Sequence, residues 1–95
     1  MKTNKLIDVL SIEQLNNMSD RIRNLRKEKA MTQEQLAESI NVSLSTIQRL
    51  EKYVDKKYVD KNHVFSSCDL SVWIRLSRNF DVSLDYLILG IKNEN

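Results

Sequence analysis

One histidine, His63, and one cysteine, Cys68, stand five positions apart, with Asp60 and Asp69 nearby. A His-x4-Cys pair supplies part of a tetrahedral metal site, which is usually completed by a second closely spaced pair. The chain has no second pair, so neither a metal nor any cofactor is expected, and Cys68 reads as a small buried hydrophobe. Catalysis asks for a nucleophile beside a base, or for paired carboxylates in a pocket. With a single histidine and no glycine-rich loop, an enzyme is not expected.

Polar side chains of another kind cluster between Ser43 and Lys52. The guanidinium of Arg49 can donate two hydrogen bonds to a guanine edge, and the amide of Gln48 can pair with adenine. Leu44 or the methyl group of Thr46 suits a thymine methyl. Ser43 and Gln33, together with helix N-termini, suit phosphate oxygens. Lys27, Lys52, Lys56 and Lys57 would add affinity that falls as salt rises.

Such chemistry requires a helix held proud of the body of the protein. The chain has no proline and one glycine, Gly90, and is rich in Leu, Ile, Lys, Glu, Gln and Arg, which points to an all-α fold. Residues Lys5 to Met18 carry apolar side chains near the helical period. Ser11 and Gln14 form a capping-box pattern that starts a helix at Ile12. Ser19, followed by Asp20, reads as the cap of a further helix with Ile22, Leu25 and the stem of Lys29 turned inward, and with Arg21, Arg23, Arg26, Lys27 and Lys29 making it basic. Thr32 and Gln35 form a second capping box, ahead of the apolar face Leu36, Ala37 and Ile40. Asn41 suits a left-handed helix end, and Ser43 caps a third helix with Ile47 and Leu50 inward. Two short helices joined by so few residues are the geometry of a helix-turn-helix. Ser67 or Asp69 then caps a helix with Leu70, Trp73, Ile74, Leu76 and Phe80 as its apolar side. Ser83 caps a last one bearing Leu84, Leu87, Ile88 and Leu89, stopped by Gly90.

The segments IRNLRKEKAMTQEQLAESINVSLSTIQRLEK and LSRNFDVSLDYLILG resemble the lambda-repressor-like (Cro/Xre-type) helix-turn-helix family over about 19–90. The resemblance implies a five-helix bundle whose second and third helices form the reader. It implies that Gln33 opens the second helix on a DNA phosphate, and that Ser43 and Thr46 touch the DNA backbone or base edges. Leu44, Ser45, Gln48 and Arg49 face the groove, with Lys52 beside them, and Arg26 and Glu51 form a structural ion pair. Three positions depart from the family's pattern. Asn41 replaces the glycine usual in the turn, Leu44 is apolar where a polar reader is common, and the loop after the third helix is replaced by a tandem duplication. There Lys52-Tyr53-Val54-Asp55-Lys56 recurs unchanged as Lys57-Tyr58-Val59-Asp60-Lys61.

The organisation expected is an N-terminal amphipathic helical extension over 1–18, a DNA-binding domain over 19–90 with a lengthened loop at about 52–66, and a frayed end at 91–95. The resemblance implies a sequence-specific transcriptional regulator, a repressor, that binds double-stranded DNA at a palindromic operator as a homodimer. A protein-interaction module of the same fold, with a toxin or another regulator as its partner, is the alternative. The unusual loop, the net charge of only +2 and Leu44 are its motive. A cytoplasmic location is expected: a lone cysteine suits a reducing compartment, and no apolar run reaches the roughly 20 residues of a membrane span.

Overall fold

The computed structural model describes residues 10–52 and 70–92. Within them the chain forms α1 (Ile12–Glu28), α2 (Gln33–Ile40), α3 (Leu44–Leu50), α4 (Leu70–Phe80) and a final π-helical turn (Asp85–Leu89). The described residues contain no strand, and the fold is the small all-α bundle that the composition implies. The duplicated Lys-Tyr-Val-Asp-Lys segment beyond Lys52 lies outside the described residues, as do Ser67, Cys68, Asp69, His63 and the first nine positions.

Local signals set the helix ends. The Ser11 hydroxyl accepts from the Gln14 amide at 3.1 Å, and the Gln14 side chain accepts from the Ser11 amide at 2.8 Å. Thr32 and Gln35 repeat this reciprocal pair at 3.1 and 2.8 Å. Each box satisfies backbone donors that a helix N-terminus leaves unpaired. Left-handed residues close the elements: Ala30 after α1, Asn41 after α2, Asp81 after α4 and Gly90 after the π-helical turn. Gly90, with φ +74°, takes the left-handed conformation without the penalty that a Cβ carries there.

Ser19 does not cap a helix. α1 runs without a break through positions 18 and 19, and Ser19 is fully buried within it. The stripe Leu15, Met18, Ile22 keeps helical spacing on both sides of that serine, so burial continues where a cap was expected. These residues join Leu36, Ala37, Ile40, Ile47, Leu50, Trp73, Leu76, Phe80 and Leu87 in one core. Leu25 packs against its edge, whereas Lys29 is exposed and places Nζ 5.8 Å from the centre of the Phe80 ring. Leu70, expected on the apolar side of its helix, is 62% exposed, and Leu89 is 49% exposed. The expected last helix is only a turn. Its Ser83 hydroxyl does accept from the Tyr86 amide at 3.0 Å, but Asp85–Leu89 wind as a π-helix.

Candidate nucleic-acid interface

α2 and α3 pack through Leu36, Ala37, Ile40, Ile47 and Leu50, all buried, with Val42 partly buried against them. The turn between them is tight. Asn41 sits at φ 58°, ψ 50°, its amide donates to the carbonyls of Ala37 and Glu38, and the Val42 amide donates to Ala37 at 3.0 Å. Asparagine tolerates that conformation better than other residues with a Cβ, so glycine is not needed here. Ser43 then caps α3, its hydroxyl accepting from the Thr46 amide at 3.2 Å. The same oxygen lies 2.8 Å from the Thr46 hydroxyl and 3.1 Å from that of Ser45, so three hydroxyls gather at the start of the helix.

Ser45, Gln48 and Arg49 are exposed, and their i, i+3, i+4 spacing puts them on one face of α3. Leu44 and Thr46 border that face and are half-buried. Gln48 and Arg49 make no hydrogen bond or ion pair among the described residues. Lys52 is exposed just beyond the helix.

The opposite end of α3 is gripped by α1. The Ser19 hydroxyl lies 2.8 Å from the Leu50 carbonyl, to which it donates, and 3.3 Å from that of Lys52. Arg23 donates to the Glu51 carbonyl and to Asp20. The Glu51 side chain, 3% exposed, receives both arms of Arg26: Nε at 2.7 Å to one carboxylate oxygen and Nη2 at 2.9 Å to the other. This paired hydrogen bond raises the Arg26 pKa above its ordinary value, against the opposing pull of burial. Nη1 of Arg26 also donates to the Met31 carbonyl at 2.8 Å. α1 thus ties its own C-terminal end and that of α3 to a single carboxylate.

Gln33 belongs to the same network. It opens α2 half-buried, and its Nε2 donates to a Glu51 carboxylate oxygen at 3.1 Å. A carboxylate only accepts, so this bond fixes which end of the Gln33 amide faces inward and leaves its second N–H directed elsewhere. The sequence pairs Arg26 with Glu51 but gives no sign of Gln33 in that network, nor of Ser19 and Arg23 at the α3 terminus. These bonds cross a separation of 18 residues or more.

Among the described residues no helix is long and apolar enough to cross a membrane. A family model described as helix-turn-helix matches residues 22–56, which begin within α1 and take in α2 and α3. No curated protein and no solved structure matches the chain. The matched stretch covers the capped pair of helices, the left-handed turn between them and the carboxylate that ties them to α1. On that geometry and that match together, residues 22–56 form a helix-turn-helix, similar in that stretch to DNA-binding regulators of this type.

Proposed function

We propose that the protein is a sequence-specific transcriptional repressor that reads a palindromic operator with α3 as a homodimer. The observation that carries the reading is the exposed face of α3, where Gln48 and Arg49 make no hydrogen bond among the described residues while the neighbouring hydroxyls of Ser43, Ser45 and Thr46 bond one another. Arg49 gives guanine two hydrogen bonds, Gln48 pairs with adenine, and the methyl groups of Leu44 and Thr46 meet thymine. Gln33, Ser43 and Ser45 hold phosphate or base-edge oxygens at the N-termini of α2 and α3, and Lys52 adds a salt-sensitive contact. Arg26 and Glu51 touch no DNA in this reading; they fix the two helices against α1.

A two-fold dimer presents its recognition helices about 34 Å apart, which makes the operator palindromic. Leu89 and Ile91, 49% and 52% exposed at the C-terminal end, support a dimer surface there. Repression stems from occupancy, because a protein seated in the groove blocks other proteins from that DNA. Selection of bound sequences from a random duplex pool tests the whole reading. Two half-sites one helical turn apart are expected, with a guanine whose preference disappears in Arg49→Ala. Recovery of no motif, with no salt-sensitive gel shift on genomic fragments, would overturn it.

A further inference from the structure

Among the described residues Glu51 is the only charged one that is buried. A carboxylate offers about four acceptor sites on its two oxygens. Arg26 takes one on each, through Nε at 2.7 Å and Nη2 at 2.9 Å. The oxygen that receives Nη2 also accepts Nε2 of Gln33 at 3.1 Å. The ion pair is complete with the first two bonds. The third reaches out of it to the first residue of α2, which is half-buried.

The amide of Gln33 has two unlike ends. Its oxygen accepts and its nitrogen donates twice, and a glutamine without a partner turns freely about its torsions. A backbone phosphate offers acceptors only, so the nitrogen alone can meet it. Pinning Nε2 on a carboxylate holds the nitrogen in place, since a turned amide would set oxygen against oxygen. One N–H is used in that hold. Gln33 has no other bond among the described residues, so the second N–H remains for an acceptor outside the protein. The start of α2 is also the end where the helix dipole favours an anion. The charge of Glu51 does not oppose an anion there, because Arg26 balances it at contact distance.

We propose that Glu51 is a positioning residue for DNA binding: it orients Gln33 so that an N–H faces a backbone phosphate, and Arg26 fixes the carboxylate that does so. The inference rests on the reading of α2 and α3 as a DNA interface, and it adds a binding role to a pair that otherwise serves the fold. Ordering a long polar side chain at an interface weakens association, and here the ordering is complete before DNA arrives. The gain is about fivefold in affinity and independent of base sequence.

A double-mutant cycle on the full chain tests this, with Glu51→Gln, Gln33→Ala and the two combined. The readout is affinity for a mixed-sequence duplex at low salt, by fluorescence anisotropy. Glu51→Gln keeps the shape of the side chain and removes the charge that Arg26 and Gln33 share. Whatever it costs through the fold, it costs in both backgrounds. It should weaken binding about fivefold more with Gln33 present than in the Gln33→Ala background. Losses that agree within about twofold, or a smaller loss with Gln33 present, overturn the inference and leave the DNA reading standing. A wild type that binds no duplex overturns both, so the two failures are told apart. Where Glu51→Gln does not fold, the ¹⁵N-labelled wild type carries the test. Adding the duplex should shift the outward proton of the Gln33 side-chain amide and leave the proton on Glu51 nearly in place. Movement of neither proton, or of both alike, overturns the inference.

Discussion

The arginines of α1 and the arginine of α3 are the same residue put to opposite uses. Arg21 donates to the Leu87 and Ile88 carbonyls at 3.0 and 2.9 Å, Arg23 to the Glu51 carbonyl, and Arg26 to the Met31 carbonyl and the Glu51 carboxylate. The Leu87, Ile88 and Glu51 carbonyls lie at the C-terminal ends of helical elements, where carbonyls have no partner within the helix and the dipole is negative, and the Met31 carbonyl lies in the link between α1 and α2. Arg49 is exposed and meets no such acceptor among the described residues. A run of basic residues along α1 looks like a phosphate-binding stripe, yet its arginines hold the fold together. What separates the two sets is whether an unpaired carbonyl or carboxylate lies within reach. Arg21 shows the cost of the internal role: burial disfavours its charge and lowers its pKa, offset in part by Tyr86 and Asp20.

The sharpest way to break this comparison is at Arg26. Arg26→Met keeps the aliphatic stem but leaves the buried Glu51 carboxylate without its counter-ion. Removing one partner of a buried pair costs about 3–5 kcal/mol. The thermal midpoint, tracked by circular dichroism, should fall by more than about 10 °C. Arg26→Met combined with Glu51→Leu should recover a large part of that loss, because an apolar pair leaves no charge unpaired. A fall of less than about 3 °C in the single variant would move Arg26 out of the structural set.

Ser19→Ala comes next. It removes the hydroxyl between the Leu50 and Lys52 carbonyls and should cost about 1–3 kcal/mol, since a buried acceptor loses its donor. Denaturant titration measures it, as a lower midpoint at unchanged slope. A cost within about 0.5 kcal/mol would mean that the end of α3 does not depend on α1.

Ser19 also shows where the sequence could be read and where it could not. The caps at Ser11, Thr32 and Ser43, the left-handed Asn41 and the terminating Gly90 are local devices, each involving residues a few positions apart, and their patterns announce them. Ser19 followed by Asp20 carries the same local pattern, but its hydroxyl serves a carbonyl 31 positions away. Composition cannot distinguish a serine that starts a helix from one buried within it; the unbroken stripe Leu15, Met18, Ile22 could have. Leu70 fails for the opposite reason. Periodicity shows which side chains share a face, and only the packed neighbours decide whether that face is covered. On α3 the prediction of Ile47 and Leu50 inward, with Ser45, Gln48 and Arg49 outward, matches the burial found, because a short helix on a small core has one side to bury. The bond between Ser39 and Asn79 left no trace in the sequence, since it joins positions 40 apart.

Arg49→Ala should reverse the pattern of Arg26→Met. Stability should stay within about 0.5 kcal/mol, as for surface substitutions generally. Operator binding should lose about 1–3 kcal/mol, with base preference relaxed at one position. Competition gel shifts over operators varied at each position would show this. An equal loss on every sequence would make Arg49 a phosphate clamp and weaken the contrast with α1.

Lys27 gives the smallest effect and the finest division. It lies on α1 among the structural arginines, but it is exposed and, like Arg49, makes no hydrogen bond or ion pair among the described residues. By the criterion of an acceptor in reach it belongs with the residues proposed to contact DNA, despite its helix. Lys27→Ala should therefore leave the thermal midpoint unchanged. It should weaken binding to all sequences alike and reduce the slope of log affinity against log salt by about 0.9, the value for one phosphate contact on duplex DNA. An unchanged slope would confine the DNA contacts to α2, α3 and Lys52, and α1 would then be a scaffold along its whole length.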